Sequence, residues 1–369
     1  MKKLVLSATL LLSVATFAQK DELKTLKKIY SKNAITEKDL ENYKLASDAL
    51  QTLASEESDK VYAKFYKVMY PTVVLASKGS KATMQDQMSL FTQDFIKSYG
   101  EIINEVIAFE KKSGKKIYTD ELVEEKTEIK NTISTLATNL NNSKKYKEAS
   151  DLFYVLYVFD PETEGRSLFS SAQLAINAQD YLLAEKLYEE FYKSDYFNKG
   201  MNYYAINKAS GVEENMGSKE MRSRFIQMGL YEKPRDEKVS KLKPEVLRTL
   251  AVLYSQNNSD LNKLKNIISE ARQLNPDDKD LLTIETNYHF LQGYEFVKED
   301  YKLVDEINNS LSNKKKYDEL TAKRKDSFVK ALPYLEKAYS INPNDTNTKT
   351  VLKMTYEVLG QSEKAKAIN

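Results

Sequence analysis

Two stretches decide the fold: Tyr146-Lys147-Glu148-Ala149-Ser150-Asp151-Leu152-Phe153 and Tyr181-Leu182-Leu183-Ala184-Glu185-Lys186-Leu187-Tyr188. The step from Tyr146 to Tyr181 and from Ala149 to Ala184 is 35 residues both times. Around the first stretch, Ile133, Leu136 and Leu140 mark one amphipathic helix and Asn141-Asn142-Ser143 breaks it. Tyr146, Ala149, Phe153 and Leu156 then mark a second, which ends at Asp160-Pro161. Around the second stretch, Leu168, Ala172 and Ala175 are followed by a break at 177–180 and by Tyr181, Ala184, Tyr188 and Phe191. Each segment reads as a helical hairpin. A small residue such as Ala149 or Ala184 lets a neighbouring helix approach closely, Tyr146 or Tyr181 fills the space between hairpins, and the closing Pro cannot continue the helix.

Working outward, a third copy has Leu247, Leu250, Ala251 and Tyr254, a break at Asn257-Asn258-Ser259, and then Leu264, Ile268 and Ala271 before Asn275-Pro276. A fourth ends at Ala331, Leu335, Ala338 and Asn342-Pro343, and a terminal one carries Leu352, Tyr356, Leu359-Gly360 and Ala365. In Asn131 to Tyr192 and Pro244 to Asn369 the pattern resembles tetratricopeptide repeats (TPR), units of about 34 residues with a large-small pattern on two helices and a closing Pro. The resemblance implies an all-α, TPR-like helical-hairpin solenoid, in which stacking covers the face each hairpin leaves open. The 25 Tyr then need no site chemistry. From Pro276 to Pro343 we expect one repeat with lengthened helices, about Asp280 to Asn308 and Lys314 to Ile341, joined at 309–313; Pro333 predicts a kink or a nearby helix start. This long hairpin resembles those of exported Gram-negative repeat proteins.

Two regions depart from the repeat. Lys20 to Lys116 is helical by periodicity, with Thr36 as an N-cap and Leu40, Tyr43, Leu50 and Leu53 on one face, and Thr119 is placed to cap the following helix. Between repeats, Tyr203-Tyr204-Ala205-Ile206-Asn207, a turn through Ser210-Gly211, and Val212 to Asn215 have the pattern of a short β-hairpin. Ser218 caps a helix over Lys219 to Met228, and Glu232 to Lys243, with Pro234, reads as an extended connector. The expected segments are therefore 1–18, 19–129 (degenerate helical hairpins), 130–195 (two repeats), 196–243 (insert and connector) and 244–369 (C-terminal repeats).

Met1-Lys2-Lys3, the apolar run Leu4 to Val14 and Thr16-Phe17-Ala18 form the three parts of a secretory signal, with cleavage expected after Ala18 and a periplasmic or secreted mature chain. No second apolar segment is long enough to cross a bilayer. With Lys2 and Lys3 removed, 54 basic residues face 54 acidic ones, so the basic surplus of a nucleic-acid binder is missing. Lys314-Lys315-Lys316 reads as a solvated helix start. The absence of Cys and the single His exclude disulfides, lipid anchoring through Cys, structural zinc and Cys nucleophiles.

Reaction chemistry finds little support. His289 falls off the stripe Leu281, Ile284, Tyr288 and Leu291, so a surface or groove-edge imidazole is expected; Glu285, one turn away, lacks further metal ligands. Asp277-Asp278-Lys279-Asp280 reads as helix capping rather than a calcium loop, which would need a Gly. Pairs such as Glu124-Glu125 read as exposed helix faces, and no phosphate-binding glycine motif occurs. No catalytic residue, metal or cofactor is expected. The TPR resemblance implies instead that the first helices line a concave, peptide-binding surface. On this chain that surface is Asn131, Ser134, Thr138, Asn141, Arg166, Phe169, Gln173, Arg248 and Val252. Ser134 and Thr138 stand where the chaperone-binding subtype has Lys and Asn, which leaves that subtype unsupported. A protein-interaction scaffold or adaptor in an envelope complex is the expected function; the alternative is an envelope glycan binder using Tyr where Trp is absent.

Overall fold

The computed structural model describes residues 19–83, 85–86 and 92–368; the export signal expected over residues 1–18 lies outside them. The fold is all-α and TPR-like, with one small sheet. The described chain forms two compact units that divide between Asp180 and Tyr181.

In the first unit, α1 (19–30), α2 (Glu37–Leu53), α3 (Glu57–Lys78), α4 (Gln93–Ser113), α5 (Thr119–Asn142), α6 (Tyr146–Phe159) and α7 (Gly165–Asn177) follow one another. Sequence neighbours α2 with α3, α3 with α4, α5 with α6 and α6 with α7 pack together, and α4 also packs on α6. Thr36 and Asp39 form a reciprocal capping box at the start of α2, an arrangement that satisfies two otherwise unpaired amides. The core is aromatic: Tyr43, Tyr62, Phe65, Tyr66, Tyr99, Tyr118 and Phe159 are buried. Burial of a tyrosine requires a partner for its hydroxyl. Tyr43 donates to the Tyr66 carbonyl (2.7 Å), Tyr66 and Tyr118 share a bond of 2.6 Å, and Tyr62 donates to Glu110 (2.9 Å). Between α6 and α7, Ser150 donates to the Ser171 carbonyl (2.9 Å) and Ser171 returns a bond to the Ser150 carbonyl (2.8 Å). Only side chains this small let two helix backbones come that close.

In the second unit, α8 (Tyr181–Lys193) and the short α9 (Asp195–Lys199) precede β1 (Met201–Asn207), β2 (Glu213–Asn215), α10 (Lys219–Gln227) and β3 (Tyr231–Lys238). Then come α11 (Lys243–Gln256), α12 (Leu261–Leu274), α13 (Lys279–Tyr294), α14 (Asp300–Asn308), α15 (Lys314–Ile341), α16 (Thr346–Val358) and α17 (Ser362–Ala367). The last helices close on Phe328, Ala331, Leu335, Leu352 and Tyr356.

The repeat is also written in the backbone. Lys144, Gln179, Asn258 and Gly360 adopt positive φ (58°, 60°, 52° and 74°), each just past the first helix of its hairpin. The amide after each one reaches back to close the helix: Lys145 to Leu140, Asp180 to Ala175, Ser259 to Tyr254 and Gln361 to Tyr356. These are Schellman closures, which require a left-handed residue. Lys144 and Gln179 stand 35 residues apart, the same step as Tyr146 to Tyr181.

Several expectations are corrected. The Glu232 to Lys243 connector is mostly strand: β3 pairs antiparallel with β1, which pairs with β2, giving the order β2-β1-β3. Pro234 is accommodated because β3 lies at the edge and the register shifts opposite Ala205, where Lys233 has φ 51°. Thr119 does not cap α5; its hydroxyl donates to Glu110, which does the capping. The first helix of the long hairpin is not continuous: α13 stops at Tyr294, and tight turns over 295–299 bring Val297 into the core beside Phe328 before α14 begins. Its partner α15 does run from Lys314 to Ile341 and continues through Pro333. Leu136 and Leu291, expected in buried stripes, are 51% and 55% exposed, because Ile133 with Ala137 and Leu281 with Ile284 center those stripes.

Candidate functional site

None of the nine expected groove residues is buried. At about 100° per residue they fall about 60–140° from the midpoint of the buried pair on their helix, always to the same side. Those pairs are Ile133 and Ala137 on α5, Leu168 and Ala172 on α7, and Leu247 and Ala251 on α11. In the first unit this places Asn131, Ser134, Thr138 and Asn141 along one flank of α5, and Arg166, Phe169 and Gln173 along one flank of α7. Thr138 uses its hydroxyl on the Ser134 carbonyl (2.8 Å), a bond within its own helix. Arg166 and Gln173 are exposed and Phe169 is half-buried between them.

Arg248 and Val252 occupy the equivalent flank of α11 in the second unit, but Arg248 is already engaged. Its Nε donates to Asp278 (2.9 Å) and its Nη2 pairs with Asp280. Asp278 is itself the N-cap of α13, accepting from the amides of Asp280 and Leu281 at 3.0 Å each. Bonds to the Leu281 amide and the nearby guanidinium hold its carboxyl below the usual range. The Asp277 to Asp280 run is therefore capping plus an ion pair, and Arg248 ties α11 to the start of α13.

The carboxylates read as exposed faces divide. Glu124 is exposed, whereas Glu125 is half-buried, takes the hydroxyl of Tyr99, and is pushed up by burial. Among the described residues, no group of three or more His, Asp or Glu side chains is placed to hold a metal ion, and no helix is long and apolar enough to cross a membrane.

The structure adds a site that the residue pattern alone did not reveal: a cleft of about 350 Å³ between α12 and α13. Lys265, Ser269 and Arg272 line it from α12, and Glu285, Tyr288 and His289 from α13. Arg272 Nε donates to Glu285 (2.9 Å), and the Tyr288 ring stands edge-on to the imidazole, 5.1 Å between centers. His289, expected at a surface or groove edge, is half-buried here. Burial pushes its pKa below the ordinary value; Glu285 opposes that, and Lys337 and Lys265 add to it. The usable signal was the spacing of Arg272, Glu285 and His289 across a Pro-closed turn, which sets two consecutive helices side by side.

No family model matches the chain, and no curated protein matches it. Among solved structures, the chain is similar to YrrB, described as a TPR protein with an unusual peptide-binding site, at 12% identity over 64% of this chain and 98% of that one, TM-score 0.27. A tetratricopeptide repeat protein from Parabacteroides merdae is 12% identical over 92% of this chain and 98% of its own, TM-score 0.23. The APC/C hetero-tetramer Cut9-Hcn1 gives 15% identity, 86% and 72% coverage, and TM-score 0.18. With TM-scores this low, the description of the fold rests on the chain's own hairpins.

Proposed function

We propose that this chain is a non-catalytic scaffold or adaptor that binds a peptide or protein segment along the flanks of its first helices. We further propose that it is exported in the manner of Gram-negative repeat proteins and works in an envelope complex in the periplasm. One observation carries the binding reading: α5 and α7 in the first unit and α11 in the second leave the same flank outside the core, beside the buried pairs Ile133 and Ala137, Leu168 and Ala172, and Leu247 and Ala251. A repeated flank of polar groups with a half-buried aromatic suits an extended segment, which offers backbone hydrogen bonds at regular intervals. The test is affinity capture from the organism's own envelope with the intact chain and with Arg166→Glu/Gln173→Glu, two exposed positions. Loss of a stoichiometric partner in the double variant is expected. Turnover of a substrate by the purified mature chain, abolished by a single carboxylate substitution, would defeat the reading.

A specific observation favors glycan binding as a second reading. Phe290 stacks on Tyr294 (5.4 Å, 14°) and Phe296 on Tyr334 (6.1 Å, 26°), and Tyr294, Phe296 and Tyr334 are exposed. Flat aromatic faces of this kind hold sugar rings. A calorimetric titration with an oligosaccharide panel that stays flat eliminates it.

A further inference from the structure

We infer that the cleft between α12 and α13 is a binding site for a carboxylate group. Two nitrogens there, Arg272 Nη1 and His289 Nδ1, are buried and have no hydrogen-bond partner among the described residues. Buried polar atoms are nearly always paired, and each one left alone costs about 1–3 kcal/mol. A guanidinium N–H can only donate, so the partner it lacks is an acceptor oxygen. The imidazole Nδ1 accepts or donates according to its protonation, and beside an anion it becomes a donor. Both side chains are half-buried and both line the cleft, which places the unpaired nitrogens at its wall.

The charge of the walls selects the ligand. Among the residues lining the cleft, Lys265 and Arg272 are opposed by Glu285, which Arg272 already engages, and Lys337 on α15 adds its field. One negative charge is welcome there. Ile268 and Tyr288 supply an apolar wall, and about 350 Å³ accommodates a carboxylate on a compact apolar or aromatic body. That chemistry is shared by the free C-terminus of a peptide and by a small aromatic acid. The site is separate from the first-helix flanks proposed above, so either reading can fail alone.

His289 is the only histidine in the chain, so its ring nitrogens give the only imidazole signals in a ¹⁵N-histidine-labelled mature protein purified without a histidine tag. The probes are acetyl-Ala-Phe with a free carboxylate, the same dipeptide as its C-terminal amide, and phenylacetate. The acids should shift the His289 nitrogens saturably below about 10 mM and raise the His289 pKa, while the amide does neither. Arg272→Gln and the more exposed Lys265→Met should each weaken the response by about tenfold or more, the second standing in if the first fails to fold. Tighter binding of the dipeptide acid than of phenylacetate identifies a peptide terminus as the source; equal or tighter binding of phenylacetate identifies a small acid. No saturable shift with either acid up to about 20 mM, an equal response to the amide, or undiminished binding in both variants would overturn the inference.

Discussion

Glu110 joins α4 to the start of α5 in the first unit. It lies in the last turn of α4, has no exposed surface, and serves the N-terminus of α5, whose N-cap Tyr118 offers no side-chain cap of its own. Its carboxylate accepts from the amides of Ile117 (2.9 Å), Tyr118 (3.1 Å) and Thr119 (3.0 Å), from the Thr119 hydroxyl (2.7 Å) and from the Tyr62 hydroxyl (2.9 Å). In Glu110→Ala the two hydroxyls can turn elsewhere but the three amides cannot. At about 1–2 kcal/mol for each orphaned amide the cost is about 3–6 kcal/mol. Glu110→Gln keeps the shape, points an NH₂ at one set of donors and gives up the charge at the helix start, so about 2–4 kcal/mol is expected. Urea unfolding followed by far-UV circular dichroism at pH 7 measures both, and hydrogen exchange at residues 117–119 locates the loss. Acid supplies a second readout. Burial raises the Glu110 pKa, but the bonds from Thr119, Tyr118 and Tyr62 outweigh it and hold the group below its ordinary 4.5. Its contribution is therefore complete above pH 4.5 and is lost as pH falls through the lower folded value; Glu110→Gln should flatten the stability curve in that window. A Glu110→Gln protein within about 0.5 kcal/mol of the parent would refute this account of the α4 to α5 junction.

Gly100 on α4 faces the end of α6 so closely that an added Cβ would lie 2.0 Å from the Phe159 carbonyl oxygen; Gly100→Ala should lower the thermal midpoint and cost about 3 kcal/mol, despite the better helix propensity of Ala. Lys144 pays for a left-handed backbone at φ 58° with an open side chain, so Lys144→Gly should stabilise by about 0.5–1 kcal/mol in the same scan, and a loss would mean that its side chain matters more than its φ. Arg248→Ala removes a half-exposed ion pair with Asp278 and Asp280 and should cost only about 1 kcal/mol in urea while leaving partner capture intact. Arg222, buried under Tyr203 and donating to the Arg235 carbonyl (2.8 Å), holds α10 to the sheet; Arg222→Met should speed hydrogen exchange across α10 with little change in α11 to α13.

How far the fold could be read in the sequence depended on what each residue had to do. Ala149 and Ala184, 35 residues apart, are fully buried, and a fully buried Ala at that step has few uses other than close helix packing, which is why the hairpins were legible. The closures at Asp160-Pro161, Asn275-Pro276 and Asn342-Pro343 were legible for a similar reason, since Pro cannot extend a helix. The left-handed turns were not, because Lys144 and Gln179 are not glycines and nothing in their chemistry announces φ near 60°. Strand β3 was hidden for the opposite reason. Glu232, Lys233, Arg235, Asp236, Glu237 and Lys238 look like a solvated connector, yet an edge strand tolerates such charges: Arg235 pairs with Glu237 along β3 (2.6 Å) and reaches over β1 to Glu213 of β2 (2.8 Å). The break of the long hairpin at 295–299 likewise follows from the tertiary demand for Val297 in the core, which periodicity within one helix does not contain.

The candidate sites divide along the same line. Positions on a first-helix flank can be inferred from phase alone, because the repeat fixes which arc is spent on packing; what phase cannot tell is whether a side chain on that flank is already used, as Arg248 is. The α12 to α13 cleft is the converse. Arg272 and His289 each fall outside the buried stripe of their own helix, and read singly they are an ordinary surface arginine and a lone imidazole. Their meaning comes from the junction between the second helix of one hairpin and the first of the next, where two off-stripe positions are pressed together and partly closed off from water. Such junctions recur in every array of hairpins, and most need carry nothing but apolar contacts. A junction that instead half-buries a guanidinium and an imidazole, each with one buried nitrogen left unpaired, bears a cost that packing alone does not require. That cost makes the junction, more than the regular flanks, the place where this chain departs from what its repeat demands.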